Sequence, residues 1–216
     1  MNPREFESHI SQLLAGGQEV LKRLRSALDL SSTHDVDFIF YTRSRVKKSD
    51  SIRQKIRDRQ VRYGADYSLA DITDIVGLRV VVLYDEYLVE AANWVISALE
   101  STRYSRNPLL DGNNIHESLS EATALRRRNS KNDPYEKCLR EVKDALRLDK
   151  SICVFKDADE SHYSSLHLLL SLKSYSLGEA ISVPVEIQVR TAIEDVWGEI
   201  SHKSEYKARP ANIWSP

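Results

Sequence analysis

The sequence predicts an α/β (α+β) protein, a sheet flanked by helices, and three observations carry that expectation. In Val183–Arg190 the apolar residues Val183, Val185, Ile187 and Val189 alternate with Pro184, Glu186, Gln188 and Arg190, the period-two pattern of a strand with one buried face. Gly77–Tyr84 (GLRVVVLY) is dominated by β-branched residues, as a largely buried strand is. Phe6, Ile10, Leu13, Leu14, Val20, Leu21, Leu24 and Leu28 instead recur at helical spacing through Arg4–Leu30.

Composition bounds the function. A chain of 216 residues holds one domain with a sizeable core, or one domain with a helical appendage. With 41% hydrophobic and 29% charged residues the class is soluble and globular. No apolar run is long enough to span a membrane, and Met1–Gly17 has neither a basic start nor a cleavable apolar core. The expectation is a cytoplasmic protein with no membrane partner. Cys138 and Cys153 stand without metal-ligand spacing around them, so neither a disulfide framework nor a zinc site is indicated. A net charge of −1 gives no bulk attraction to nucleic acid. Any anion site must therefore come from local clustering.

Taken in order, residues 1–35 read as an N-terminal packing helix, with Gly16–Gly17 as a weak point or kink. Val36–Tyr41 is a short strand candidate. From Arg43 to Arg62 there are nine Lys or Arg against two Asp. A strand end would deliver Arg45 and Lys47, and a helix beginning near Ser49–Ser51 would present Ser51 and Lys55 on one side. A triphosphate needs such convergence of cations, preferably at a helix N-terminus; the bland alternative is a solvated basic face. Ser68–Asp74 reads as a capped turn before the strand Gly77–Tyr84, and a helix follows over Tyr87–Leu99. Thr102–Asn132 is polar, carries Asn107-Pro108, Asp111-Gly112 and Arg126–Arg128, and reads as a long loop or insertion. Pro134–Leu148 is a charged helix, and Ser151–Phe155 and Ser165–Leu172 are two further strands. Tyr163 and His167, four apart, point to one face of their strand. After the strand carrying Glu186, Thr191 can cap a helix whose apolar residues are Ile193, Val196, Trp197 and Ile200. Asp195, His202 and Tyr206 fall near one another on a neighbouring face of it.

Each residue alone has an ordinary structural reading, but whole words of the sequence resemble one family. EIQVRT followed by EDVWGEISHKSEY resembles the closing signature of the RelA/SpoT-type alarmone synthetases, E-I-Q-(I/V)-R-T with an Asp and an aromatic half a helix later, then His and Tyr. RSRVKKSDSIRQKI resembles that family's ATP-binding motif, R-x-K-x-x-x-S-x-x-x-K. DITDIVGLRVV resembles D-(I/L)-x-(A/G)-(I/L)-R. Phe155-Lys156-Asp157 and Tyr163-Ser164-Ser165-Leu166-His167 resemble F-K-D and Y-x-S-(L/I)-H.

The resemblance covers about residues 40–207 and implies a nucleotidyltransferase-like fold, a mixed five-stranded sheet flanked by helices. It makes residues 36–208 a RelA/SpoT-like synthetase domain with a polar insertion near 102–132, and 209–216 a tail or truncated continuation. No histidine-aspartate hydrolase motif lies upstream, so only the synthetase half is expected. The implied reaction transfers pyrophosphate from ATP to the 3′-hydroxyl of GDP or GTP, with Mg²⁺ held by Asp74 and Glu186. Arg45, Lys47, Ser51, Lys55 and Arg79 would hold the donor. Lys156, Tyr163, His167, Gln188 and Arg190 would hold the acceptor, Tyr163 stacking on guanine and His167 reaching its phosphates, while Asp195, His202 and Tyr206 support the site. The connection before Tyr163 is Asp159-Glu160-Ser161-His162, where family members carry a Lys and an Asn-Gly pair, and this leaves the acceptor open. A toxin-like pyrophosphokinase acting on adenine nucleotides or the tRNA 3′ end, and a non-catalytic nucleotide sensor, stand as alternatives. A homo-oligomer also stays open.

Overall fold

The computed structural model describes residues 2–31, 36–105, 108–110, 115–126, 133–157, 163–175, 178 and 180–207. Strands β1 (Ile39–Val46), β2 (Val76–Val82), β3 (Leu119–Arg126), β4 (Cys153–Asp157), β5 (Ser165–Ser174) and β6 (Ile181–Thr191) form a 6-stranded sheet in the order β1-β2-β6-β5-β3-β4. The β2–β6 and β3–β4 pairs are parallel and the other pairs antiparallel, so the sheet is mixed as expected. The helices are α1 (Pro3–Ser31), α2 (Ser49–Tyr63), α3 (Leu88–Ser101), α4 (Ile115–Ser118), α5 (Pro134–Leu146) and α6 (Ala192–Lys207).

Alternation along the central strands divides the sheet into two faces. Val183, Val185, Ile187 and Val189 of β6 and Leu166, Leu168, Leu170 and Leu172 of β5 are buried in the core that includes residues of α1, α3 and α5. Glu186, Gln188 and His167 point to the opposite face, because neighbouring residues of a strand project to opposite sides. α6 crosses near β2 and β6. Thr191 caps it as expected, its hydroxyl accepting from the Glu194 N–H at 3.4 Å.

The structure corrects several sequence expectations. The described residues form six strands rather than five, and the additional strand, β3, lies inside the stretch 102–132 that reads as a polar insertion. Its core residues are Leu119, Ala122 and Ala124, two of them alanines, so its apolar signal is weak. The first strand begins at Ile39 rather than Val36 and runs on to Val46. α1 continues through Gly16 and Gly17 as one helix. A Cβ at Gly16 would stand 2.7 Å from Ile181 Cδ1 and 3.1 Å from Val183 Cγ2, and one at Gly17 would stand 3.2 Å from Val46 Cγ1; the two glycines serve close approach of helix to sheet. Ile193, Val196, Trp197 and Ile200 are exposed, while Glu194 and Asp195 on the same helix are buried. The side chains of Arg126, His202 and Tyr206, and residues 127–132, 158–162 and 208–216, lie outside the described residues. Among the described residues no helix is long and apolar enough to cross a membrane.

Gly16→Leu inserts a side chain where the sheet already touches the helix, and overpacking of this kind costs about 1–3 kcal/mol. Leu24→Ala, at a fully buried position of the same helix, removes packing worth about 2–5 kcal/mol. Urea unfolding should show both losses; a Gly16→Leu protein as stable as the wild type would contradict the close helix–sheet contact.

Candidate active site

The polar face of the sheet opens into a cleft of about 440 Å³ whose walls include Arg45, Arg79, Tyr163, Glu186, Gln188 and Arg190, all expected site residues. Strand pairing explains the convergence. Gly77 of β2 pairs with Glu186, Arg79 with Gln188, and His167 of β5 with Gln188 from the other side.

Glu186 lies at the centre. Its Oε1 is 2.9 Å from His167 Nδ1, and its Oε2 accepts from Gln188 Nε2 at 3.0 Å. Burial is the largest influence and pushes its carboxyl upward, but the His167 bond, the Lys55 charge and the Gln188 amide together hold it below the usual glutamate range. It is therefore an ionised, oriented carboxylate near neutral pH.

Beside it stands a cation pair on a second carboxylate. The Lys47 N–H donates to the Ile75 carbonyl at 2.8 Å, which extends the β1–β2 pairing by one step and sets Lys47 next to Asp74. Lys55, one turn and a half into α2, donates to Asp74 Oδ1 at 2.8 Å, while Lys47 donates to Oδ2. Burial lowers the Lys47 pKa most, and Lys55 and Arg45 add to that while Asp74 opposes it. Ser51 is exposed on the first turn of α2, where the initial N–H groups have no intrahelical acceptors.

The opposite wall is an ion-pair network fed by α6. Arg79 Nη1 is 2.8 Å from Asp195 Oδ1 and donates to Glu199 Oε1 at 2.8 Å. Burial lowers its pKa most, yet Glu199 and Asp195 outweigh that and raise it. The resemblance makes Arg79 a donor-binding residue; the structure engages it with α6. Arg190, 3% exposed, reaches Asp195 Oδ1 at 3.5 Å and donates to Gln188 Oε1. Its guanidinium lies 5.0 Å from the centroid of the Tyr163 ring, a cation–π arrangement, and its buried Nε has no hydrogen-bond partner among the described residues. A Cβ at Gly198 would come within 2.9 Å of Arg190 Nη1; the bare glycine lets α6 lie this close. The Ser164 N–H donates to the buried Glu194 at 2.8 Å, tying the Tyr163 segment to the same helix.

Lys156 is engaged on the β3–β4 side of the sheet. It binds Glu121 Oε1 at 3.0 Å on β3, and Glu121, pushed up by burial, is held low overall by Thr123, Lys156 and His167. Sequence reasoning missed Glu121, Tyr41, Arg43, Ser165, Gly198 and Glu199. Tyr41 donates to Asp195 Oδ2, and burial followed by that bond pushes its hydroxyl pKa up to about 12. Arg43 lies 3.6 Å from Glu199. The available signal was alternation: Tyr41, Arg43 and Arg45 fall at period two on one strand.

Residues 44–211 match the family described as a region found in RelA / SpoT proteins. A GTP pyrophosphokinase family protein from Streptococcus pneumoniae is similar in structure, at 21% identity and a TM-score of 0.51 over 96% of this chain and 79% of that one. The small alarmone synthetase 2 from Bacillus subtilis is similar at 20% identity and a TM-score of 0.52, over 91% of this chain and 79% of that one. None of the curated proteins matches the chain. The structural likenesses speak for the fold, and the family match spans most of the sequence: the chain belongs to the RelA/SpoT family.

Proposed function

We propose that the chain is a pyrophosphokinase that transfers the terminal pyrophosphoryl group of ATP to the 3′-hydroxyl of GDP or GTP, releasing AMP and forming guanosine tetra- or pentaphosphate. The observation that carries this reading is Glu186, an ionised carboxylate between the Lys47–Asp74–Lys55 cluster and the Tyr163–Arg190 stack. A base must be unprotonated and fixed in place before it can take a hydroxyl proton. Glu186 meets both conditions.

In the proposed step the acceptor 3′-oxygen attacks the β-phosphorus. A new P–O bond forms, the bond from the β-phosphorus to the α–β bridging oxygen breaks, and AMP leaves carrying that oxygen. Glu186 takes the hydroxyl proton. Lys47, Lys55, Arg45 and Ser51 grip the donor phosphates, aided by the N-terminus of α2. Tyr163, backed by Arg190, offers an aromatic surface to the acceptor base, and the spare Arg190 Nε supplies a buried donor.

The residues also suit a divalent ion. Among the described residues no group of three His, Cys, Asp or Glu side chains could hold a metal by itself. Mg²⁺ characteristically needs only one or two carboxylates plus substrate phosphates, which matches Asp74 and Glu186 as hard oxygen donors. Lys55 binds Asp74 and its charge reaches Glu186, so the space they share already favours a cation. Mg²⁺ held by Asp74 and Glu186 would neutralise charge on the donor phosphates.

Chromatography of products after incubation with ATP, Mg²⁺ and, in separate reactions, GDP, GTP, ADP, ATP and deacylated tRNA should show transfer to the guanine nucleotides. Glu186→Gln should lower that rate by about 10²- to 10⁴-fold while leaving the fold intact. Undiminished turnover in that variant would sink the assignment. Transfer to adenine nucleotides or tRNA alone would move the acceptor to another class, and tight ATP binding without any transfer would leave a nucleotide sensor.

Lys47→Ala removes one charge-assisted contact and should weaken binding of a non-hydrolysable ATP analogue by about 1.5–3 kcal/mol. Isothermal titration calorimetry reads this directly. Wild-type affinity in the variant would leave Lys47 a partner of Asp74 with no contact to the donor.

A further inference from the structure

A second hollow, of about 350 Å³, lies at the β4 edge of the sheet and is lined by Arg140, Lys143, Asp144, Lys150, Cys153 and Phe155. None of these residues lines the cleft. Cys153 and Phe155 of β4 pair with the core residues Ala122 and Ala124 of β3, so they face the side on which α5 packs. The cleft residue His167 pairs instead with Thr123, on the other face. The sheet itself separates the two sites.

The hollow combines cations with an aromatic floor. On α5, Lys137 is paired with Glu141 and Arg140 with Glu136, whereas Lys143 and Lys150 have no ion-pair partner among the described residues. The Lys143 charge reaches the Cys153 thiol, whose pKa burial raises and Lys143 lowers. Phe155 is 40% exposed, and the Arg140 guanidinium stands 5.9 Å from the centroid of its ring. A helix C-terminus and a sheet edge both favour basic residues. Neither calls for an exposed ring beside them, nor for a hollow within the range of small-ligand sites, about 300–1,000 Å³.

We infer that the hollow between α5 and β4 is a second nucleotide site, taking a nucleoside di- or triphosphate whose base stacks on Phe155 and whose phosphates meet Lys143 and Lys150. Base–aromatic stacking tolerates any base, because every base has a π-face. Three cations against the single carboxylate of Asp144 suit more than one phosphate charge, and Asp144 supplies an acceptor for ribose hydroxyls. The site goes beyond the proposed reaction and does not depend on it.

Cys153 is a reporter built into the site. The chain has two cysteines, and Cys138 is fully buried. Alkylation of Cys153 by N-ethylmaleimide at mildly alkaline pH, followed by mass spectrometry, is compared with and without GTP in the absence of ATP. GTP at about ten times its half-protecting concentration should slow the reaction about 11-fold, as simple occupancy requires. Lys143→Ala/Lys150→Ala should raise the half-protecting concentration about tenfold or more, and Lys143→Gln/Lys150→Gln should do the same. Lys47→Ala, which alters only the cleft, should leave it unchanged. Inorganic pyrophosphate should protect only at higher concentration than GTP. In every variant an unreactive Cys138 shows that the fold is kept. Absence of protection at millimolar GTP overturns the proposal, as does protection that shifts with Lys47→Ala and not with the lysine pair. Pyrophosphate as effective as GTP overturns the nucleotide class.

Discussion

An ionised carboxylate with 23% of its side chain exposed, Glu186, is the constraint on which the rest of the site depends. Removing such a charge from water costs several kcal/mol unless partners replace the lost hydration. The partners here come from three elements: His167 from β5, Gln188 from β6 itself, and the Lys55 charge from α2. Burial pushes the carboxyl toward the neutral form, and the partners reverse the direction. The strand order that places β6 between β2 and β5 therefore has a chemical consequence. β5 brings His167 to one side of Glu186, and α2 brings the Lys55 charge.

The same logic accounts for α6, whose buried surface runs against ordinary amphipathic patterning. Arg190 is 3% exposed and Arg79 lines the same wall, so that wall demands anions. Asp195 and Glu199 meet the demand. Leaving a buried guanidinium without its carboxylate costs about 3–5 kcal/mol, whereas burying one aliphatic side chain gains about 1.5–3 kcal/mol. Turning the acids inward satisfies two guanidinium groups at once, and Ile193, Val196, Trp197 and Ile200 are left outside. Gly198 completes the arrangement, since a Cβ there would stand 2.9 Å from Arg190 Nη1, too close for helix and guanidinium both to keep their places.

What was legible in the sequence follows from how strongly each feature is written in local pattern. The alternation of Val183 to Arg190 and the β-branched run after Gly77 identify β6 and β2 because large apolar residues mark the core face at each second position. β3 is hidden because two of its three core residues, Ala122 and Ala124, give little hydrophobic contrast and only Leu119 is large, while turn-forming pairs on its N-terminal side favour a loop reading. The convergence of Arg45, Tyr163, Glu186, Gln188 and Arg190 on one cleft is what the family resemblance implies, and no local period shows it. The partner of each side chain was not legible. Lys156 is held by Glu121 and Arg79 by two acids of α6, and those pairings depend on strand order and helix placement, which no local period encodes. The inward turn of α6 was hidden for the same reason: periodicity locates an apolar stripe, while the charge of the opposing wall decides which stripe faces it.

On the proposed reading the two halves of the cleft differ in how they would recognise their ligands. Lys47 and Lys55 have flexible four-carbon stems and already share Asp74. An entering triphosphate would exchange phosphate oxygens for that carboxylate at each ammonium, so donor affinity is a difference between two sets of ion pairs. Asp74, released from the lysines, would in turn be free for a divalent ion, which couples binding of metal and donor through one carboxylate. The acceptor half has no comparable slack. Arg190 is planar, buried and held between Gln188, Asp195 and the Tyr163 ring, and it can adjust only if α6 moves with it. Selectivity between acceptors would therefore rest on the shape of the Tyr163–Arg190 stack, while the lysine side adapts to any triphosphate whose phosphates reach it.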